Sequence, residues 1–250
     1  MGEIICSEIR QRIFDGQYAS GDRINVDELA RKLNISKTPV REALGRLESE
    51  GLVSFKPRMG WRVSSLSMEE FVDFLELQCA LRYFISDSLG PFLDKIDFGL
   101  LHSINKKLPQ LVDEHKYHEL IRQNDLFHIT IFSAHSNRLI LRRLEEIDGI
   151  IRLQRVRFFE QERIRFPLLA DNAFVQHQEI IKALESRNPE RISRVSREHH
   201  ESVLDAFKKL APTVKNSNAL AETIASIATN YNYIIPVRQK AKELLFSLKK

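Results

Sequence analysis

The chain has 250 residues, 43% of them hydrophobic and 29% charged, with a formal charge of +4 and a pI near 9.0. That length and apolar content exclude a disordered tail and support more than one packed core, while so small an excess of cations excludes a blanket polycation, so binding to an acidic polymer must come from local placement of Lys and Arg. The two cysteines, Cys6 and Cys79, lie in helical, apolar contexts, which excludes a disulfide framework or zinc knuckle and marks them as core thiols.

After an apolar first helix (Ile5, Ile9, Ile13), residues Asn25 to Gly51 read NVDELARKLNISKTPVREALGRLESEG. Asn25 can cap a helix, with Glu28 three positions later closing a capping box. Val26, Leu29, Ala30 and Leu33 recur at i, i+3, i+4 and i+7, which gives one apolar stripe. A turn at Asn34 and Ile35 follows. Ser36 or Thr38 caps a second helix, and Pro39 is tolerated in its first turn, where amides have no intrahelical partner. Val40, Ala43, Leu44 and Leu47 form its buried stripe, which leaves Lys37, Thr38, Arg41 and Gly45 toward the outside. Gly51 ends it. Two short helices in this order predict a DNA-reading helix-turn-helix, whose second helix meets base edges near its N-terminus. Residues 52–55 and 61–64 alternate like strands, and the turn between them carries Lys56, Arg58 and Gly60, a hairpin suited to phosphate or an adjacent minor groove.

Residues 3–65 resemble the winged helix-turn-helix of GntR-type transcriptional regulators, through the first helix, the DELARKLNISKTPVREALGRLESEGLV block and the wing closing on Gly60. The resemblance implies that Ser36, Lys37, Thr38 and Arg41 contact DNA and that Gly60 is the wing-tip glycine. Two positions depart from it. Asp27 stands where some members have a DNA-contacting Arg, and Lys37 replaces a frequent Arg. An ammonium lacks the planar two-pronged contact that a guanidinium makes to guanine.

The strand pattern ends at residues 64–67, where Ser67 can cap a new helix with Glu70 at its third position. From there the period is helical. Helices are expected over Met68 to Ser88, Phe98 to Lys107, Asp113 to Ala134, Arg138 to Phe159, Asn172 to Ser186 and Pro189 to Leu210, broken at Gly90-Pro91, Pro109, Ser136-Asn137, Pro167 and Asn188-Pro189. The expected architecture is mainly α: a winged helix-turn-helix over residues 1–66, an all-α effector bundle over 67–211, and an added helical segment over 212–250 with an amphipathic, lysine-rich end.

Within the bundle, Asn124 and His128 share one helical face at i, i+4, and His177 and His199 lie on two other helices. Three imidazoles and an amide oxygen are a donor set for a divalent transition metal; among eight histidines, ordinary hydrogen-bonded rings are the plainer alternative. The stretches NDLFHITIFSAHSNRLI and HQEIIKALESRNPERISRVSREHH resemble the FadR-type ligand-binding domain of one GntR subfamily. That resemblance implies a metal, zinc or nickel, on Asn124, His128, His177 and His199, with open positions that accept the carboxylate of a small organic acid. His200 is expected to point about 100° away from His199 around its helix, and Asp125 is a poorer geometric candidate than Asn124. Where the subfamily often has an Arg near the start of the bundle, this chain has Gln78; Arg82 one turn on, and Arg152 or Arg155 from another helix, are the remaining candidates for the effector. The expected protein is a cytoplasmic homodimer that binds double-stranded operator DNA and the effector, with no membrane association. The alternatives are a metal-independent regulator of an apolar or acyl ligand, or a metal-dependent enzyme. The enzyme reading lacks a phosphate-cradling loop, a nucleophile elbow and a His-Glu-x-x-His helix.

Overall fold

The computed structural model describes residues 2–160 and 167–210. Within them two compact units stand out, residues 2–67 with 145–160 and residues 68–144 with 167–210. The added helices expected over 212–250 lie outside the described residues.

The first unit begins with α1 (Gly2–Phe14), whose Ile5, Ile9 and Ile13 are buried. It packs on α3 (Lys37–Ser49), which buries Val40, Ala43, Leu44 and Leu47, the stripe its 3.6-residue period predicts. Between them α2 (Val26–Leu33) starts under the Asn25 side chain, which accepts from the amides of Asp27 and Glu28. Only the Asn25 half of the expected capping box forms: the Glu28 carboxylate turns instead to Lys32, 2.7 Å away at i, i+4. Asn34 ends α2 in the left-handed conformation, which an Asn tolerates better than most residues. The wing is a three-stranded antiparallel sheet in the order β1 (Arg23–Ile24), β3 (Gly60–Val63), β2 (Val53–Lys56). β1, two residues long, is absent from the sequence expectation, because a pair of residues carries no alternation and is a strand only through its partner. Phe55 pairs with Trp61 and Lys56 with Gly60 across the hairpin.

The long helix α7 (Arg138–Glu160) departs from the expected domain division, since its residues from 145 onward group with the first unit. At Gly149 a Cβ would stand 3.5 Å from the Phe14 ring and 3.7 Å from Leu52, ordinary contact distances, so this stretch of α7 packs closely on Phe14 and Leu52. The backbone is tighter at Gly51, where φ is +77° and a Cβ would meet Ile150 at 3.0 Å. Gly51→Ala is therefore expected to lower the unfolding free energy by about 1–3 kcal/mol, from backbone strain plus the displaced Ile150. Urea denaturation of the full chain checks this, and an unchanged midpoint refutes it.

The second unit is helical: α4 (Met68–Asp87), a 3-10 turn at Gly90–Lys95, α5 (Phe98–Asp113), α6 (Tyr117–Phe132), the first residues of α7, α8 (Pro167–Glu185) and α9 (Pro189–Leu210). α4 packs on α9, α5 on α6 and α8, and α8 on α9. Phe127, Ile131, Phe132, Ile85, Ile181 and Ile192 belong to one buried core. Pro109 was expected to end a helix, yet α5 runs through it to Asp113. Leu108 and Val112 on either side are buried against Leu120, so burial on that face offsets the hydrogen bond a proline removes. The break falls instead at His115, whose φ of +56° turns the chain into α6.

Candidate functional site

On the first unit, Ser36, Lys37, Thr38 and Arg41 are all exposed at the N-terminal half of α3. Ser36 takes the extended N-cap conformation but makes no side-chain cap bond, which leaves its hydroxyl outward. Lys37 Nζ lies 2.9 Å from Asp27 Oδ1 across the α2–α3 turn. The Asp27 carboxyl is held below its ordinary pKa by that Lys37 hydrogen bond, with the charges of Arg41 and Arg31 adding to it. Arg41 and Asp27 line an open groove of about 230 Å³ whose other wall is the wing, with Phe55, Gly60 and Trp61. The Phe55 and Trp61 rings tilt together at 5.1 Å. At the wing turn Arg58 has φ +67° and Gly60 φ +78°, and Arg23 sits 3.9 Å from where a Gly60 Cβ would stand. A narrow cationic tip of this kind brings backbone close to a phosphate.

In the second unit three helices converge on a histidine centre. His128 comes from α6, His177 from α8 and His199 from α9; all three are buried. Their ligand nitrogens lie within 4.8 Å of one another, the one such group among the described residues. The ring centroids form a triangle 5.1 Å on each side. Three imidazoles bound tetrahedrally to one ion at ordinary Zn–N distances place their ring centres roughly 5.2 Å apart. His199 Nε2 and His128 Nε2 are 3.3 Å apart, within the roughly 3.0–3.4 Å that separates two nitrogens sharing an ion.

The protonation chemistry of these rings agrees with a ligand set. His128 and His177 are pushed well below the usual histidine pKa, in both cases first by burial; Arg82 is the next cause for His128, and His199 followed by Arg82 for His177. They are neutral imidazoles, the form that donates a lone pair. His199 Nδ1 is 2.8 Å from Gln176 Oε1, and the Gln176 amide is oriented by its Nε2 donating to Ser202 Oγ at 3.0 Å. The proton therefore belongs on His199 Nδ1, and its Nε2 lone pair faces His128. Neither nitrogen of His177 has a hydrogen-bond partner, nor does His128 Nδ1. His177 stacks on Phe127 with centroids 3.8 Å apart and planes 4° from parallel, so its orientation is fixed by packing. Buried polar atoms left without partners cost about 1–3 kcal/mol each, and a cation accepting these lone pairs removes part of that cost. The residues present fit a divalent ion.

Asn124 lies one turn before His128 on α6 and is half-buried. Asp125 is buried but does not join the group. His200 requires a correction. It does not leave the site: its ring is 5.3 Å from His128 and 4.9 Å from His199, it is buried, and its Nε2 has no hydrogen-bond partner. A 100° turn about a helix inside a bundle still ends in the bundle when both neighbouring faces are covered, here by Phe132 and Tyr83. Gln176, which fixes the His199 tautomer, escaped the sequence reading; its place directly before His177 was the available signal.

The effector candidates separate. Gln78 and Arg82 are both buried on α4, and Arg82 lies 5.4 Å from the Phe132 ring centre. Its charge acts on His128, His177 and His200, so it stands beside the centre. Arg152 and Arg155 belong to the first unit, where the Arg152 guanidinium lies 4.7 Å over the Phe14 ring.

Residues 2–63 match the family "Bacterial regulatory proteins, gntR family", and residues 89–202 match the "FCD domain". The chain is 28% identical to the gluconate operon transcriptional repressor of Bacillus subtilis over 84% of this chain and 86% of that protein. It is 25% identical to the HTH-type regulator YdhC of the same organism, over 74% of this chain and 80% of the relative. Its fold is shared with the solved structure of E. coli McbR/YncC, with a TM-score of 0.69 at 19% identity, covering 83% of this chain and 97% of that one. No helix among the described residues is long and apolar enough to cross a membrane. A winged DNA-reading unit followed by a helical FCD unit, in a chain whose relatives are transcriptional regulators, makes this protein a member of the GntR family of DNA-binding regulators.

Proposed function

We propose that this regulator belongs to the FadR-type subfamily and senses a small organic acid at a divalent metal, zinc or nickel, held by His128, His177, His199 and Asn124. The observation that carries the reading is the convergence of three buried imidazoles from three helices, with Nδ1 of His128 and both nitrogens of His177 left without a hydrogen-bond partner. When bound, the ion supplies a Lewis-acidic position for an anion. The donor set is neutral, so nothing among the ligands offsets the ion's charge, and Arg82 beside the centre adds a further positive field; a carboxylate is the ligand class that such a site favours. Gln78, buried one turn before Arg82, supplies hydrogen bonds to the acid's remaining oxygens.

The acid can change operator affinity only by binding unequally to the DNA-competent and DNA-incompetent arrangements of a homodimer. The proposed working form is thus a cytoplasmic homodimer on double-stranded operator DNA, contacted through Ser36, Lys37, Thr38, Arg41, Arg58 and Gly60. Full-length protein purified without chelator is expected to carry about one metal ion per chain by elemental analysis. Isothermal titration against small mono- and dicarboxylates is expected to show binding that a chelator abolishes. Protein free of metal removes the metal from this reading, and tight binding of only neutral or cationic compounds removes the carboxylate.

A further inference from the structure

Asp27 is an odd residue to find on the DNA-facing side of a reader. A carboxylate there is repelled by phosphates, and its ion pair with Lys37 is exposed, with more than half of each side chain open to water. Pairs of that kind contribute little to stability. The pair joins the first turn of α2 to the first residue of α3, beside Arg41 and the groove under the wing.

We infer that Asp27 and Lys37 act as one unit that reads a single G·C base pair in each half-site, Lys37 donating to the guanine and Asp27 accepting from the cytosine amino group. This rests on α3 being the helix that enters the major groove. In that groove a G·C pair shows the guanine O6 acceptor beside the cytosine N4–H donor, and the two atoms are joined by their own N–H···O bond of about 2.9 Å. Lys37 Nζ and Asp27 Oδ1 are 2.9 Å apart with the opposite polarity, donor facing acceptor and acceptor facing donor. The same two groups could address an A·T pair in the reverse sense, but each base is the poorer partner. Thymine offers the ammonium one acceptor beside a methyl group, where guanine offers O6 and N7 together. Adenine N7 is an acceptor next to the N6 amino group and repels the carboxylate, whereas cytosine has no such neighbour.

A neutral reading unit contributes discrimination more than affinity. Without Asp27, Lys37 is released to contact phosphate; without Lys37, an unpaired carboxylate is pressed toward DNA. Full-length parent, Asp27→Ala, Lys37→Ala, the double variant and Arg41→Ala are to be incubated with a randomised duplex library, and the bound fraction sequenced at several salt concentrations. The expected parent profile has one position per half-site with G·C preferred by about tenfold or more. Asp27→Ala flattens that position alone, to threefold or less, and steepens the salt dependence by about one unit in the slope of log affinity on log salt. Lys37→Ala binds more weakly than the double variant, because the second change removes the unpaired carboxylate. An Asp27→Ala profile identical to the parent's, or an A·T preference that disappears in Asp27→Ala, overturns the inference while Arg41→Ala still loses specific binding. So does a double variant no tighter than Lys37→Ala. If Arg41→Ala keeps the parent profile, the reading of α3 itself fails, and the inference goes with it.

Discussion

Purified His128→Ala/His177→Ala protein is expected to hold less than a tenth of the parent's metal, since two of three imidazoles leave and the remaining His199 keeps only its Gln176 anchor. The stability consequence has a sign that separates a metal site from a merely packed cluster. In a packed cluster the parent bears three nitrogens on His128 and His177 without partners, and removing them offsets part of the cavity left by the rings. In a metal site the parent gains stability from the ion, about 2.7 kcal/mol when free metal is a hundredfold above its dissociation constant. For a chain of this size that corresponds to roughly 5–10 °C in Tm. Chelator is therefore expected to lower the parent's melting temperature by that amount and to leave the double variant unmoved. Equal metal in both proteins, or a parent indifferent to chelator, removes the site. The winged unit contains neither residue, so binding to nonspecific DNA is expected to persist in the variant.

Arg41→Ala is expected to lower operator affinity by about ten- to a hundredfold, the range lost when one good base contact is removed. The fold is expected to survive. Arg41 is exposed, and the stripe that anchors α3 consists of Val40, Ala43, Leu44 and Leu47 on the opposite side. A gel-shift titration against a cognate duplex and a nonspecific one gives the distinction: loss confined to the cognate duplex marks a base contact, whereas equal loss on both marks a phosphate contact. Unchanged affinity for both refutes the role of Arg41. The melting temperature of the variant, expected within a degree or two of the parent, shows that the loss belongs to the interface.

Local chemistry made the DNA-reading end legible from the amino-acid sequence. The Asn25 cap, the apolar stripes of α2 and α3, Pro39 in a first turn and Gly51 at +77° each act within a few residues, so the order of residues already contains the cause. The wing's second and third strands were legible for the same reason, through alternation around Arg58 and Gly60. Pro109 misled because its local cost is real; what offsets it is burial of Leu108 and Val112 against Leu120, a contact that no local pattern encodes.

The histidine centre divides along the same line. Sequence spacing put Asn124 and His128 on one face, and the resemblance selected His177 and His199 from eight histidines. Packing decided the rest. Only the convergence of α6, α8 and α9 brings three rings into a 5.1 Å triangle, keeps His200 beside them, and turns Gln176 onto His199. Only the fold shows that Gln78 and Arg82 are buried on α4 and that Arg152 and Arg155 belong to the other unit. Helix caps and the apolar stripes of α2 and α3 depend on residues one to four apart, so the order of residues already contains their cause; the run of α5 through Pro109 does not. Which imidazoles share a centre, and which cation stands beside it, depends on residues from about 20 to more than 100 positions apart, whose meeting is set by the burial of side chains that carry no part of the chemistry.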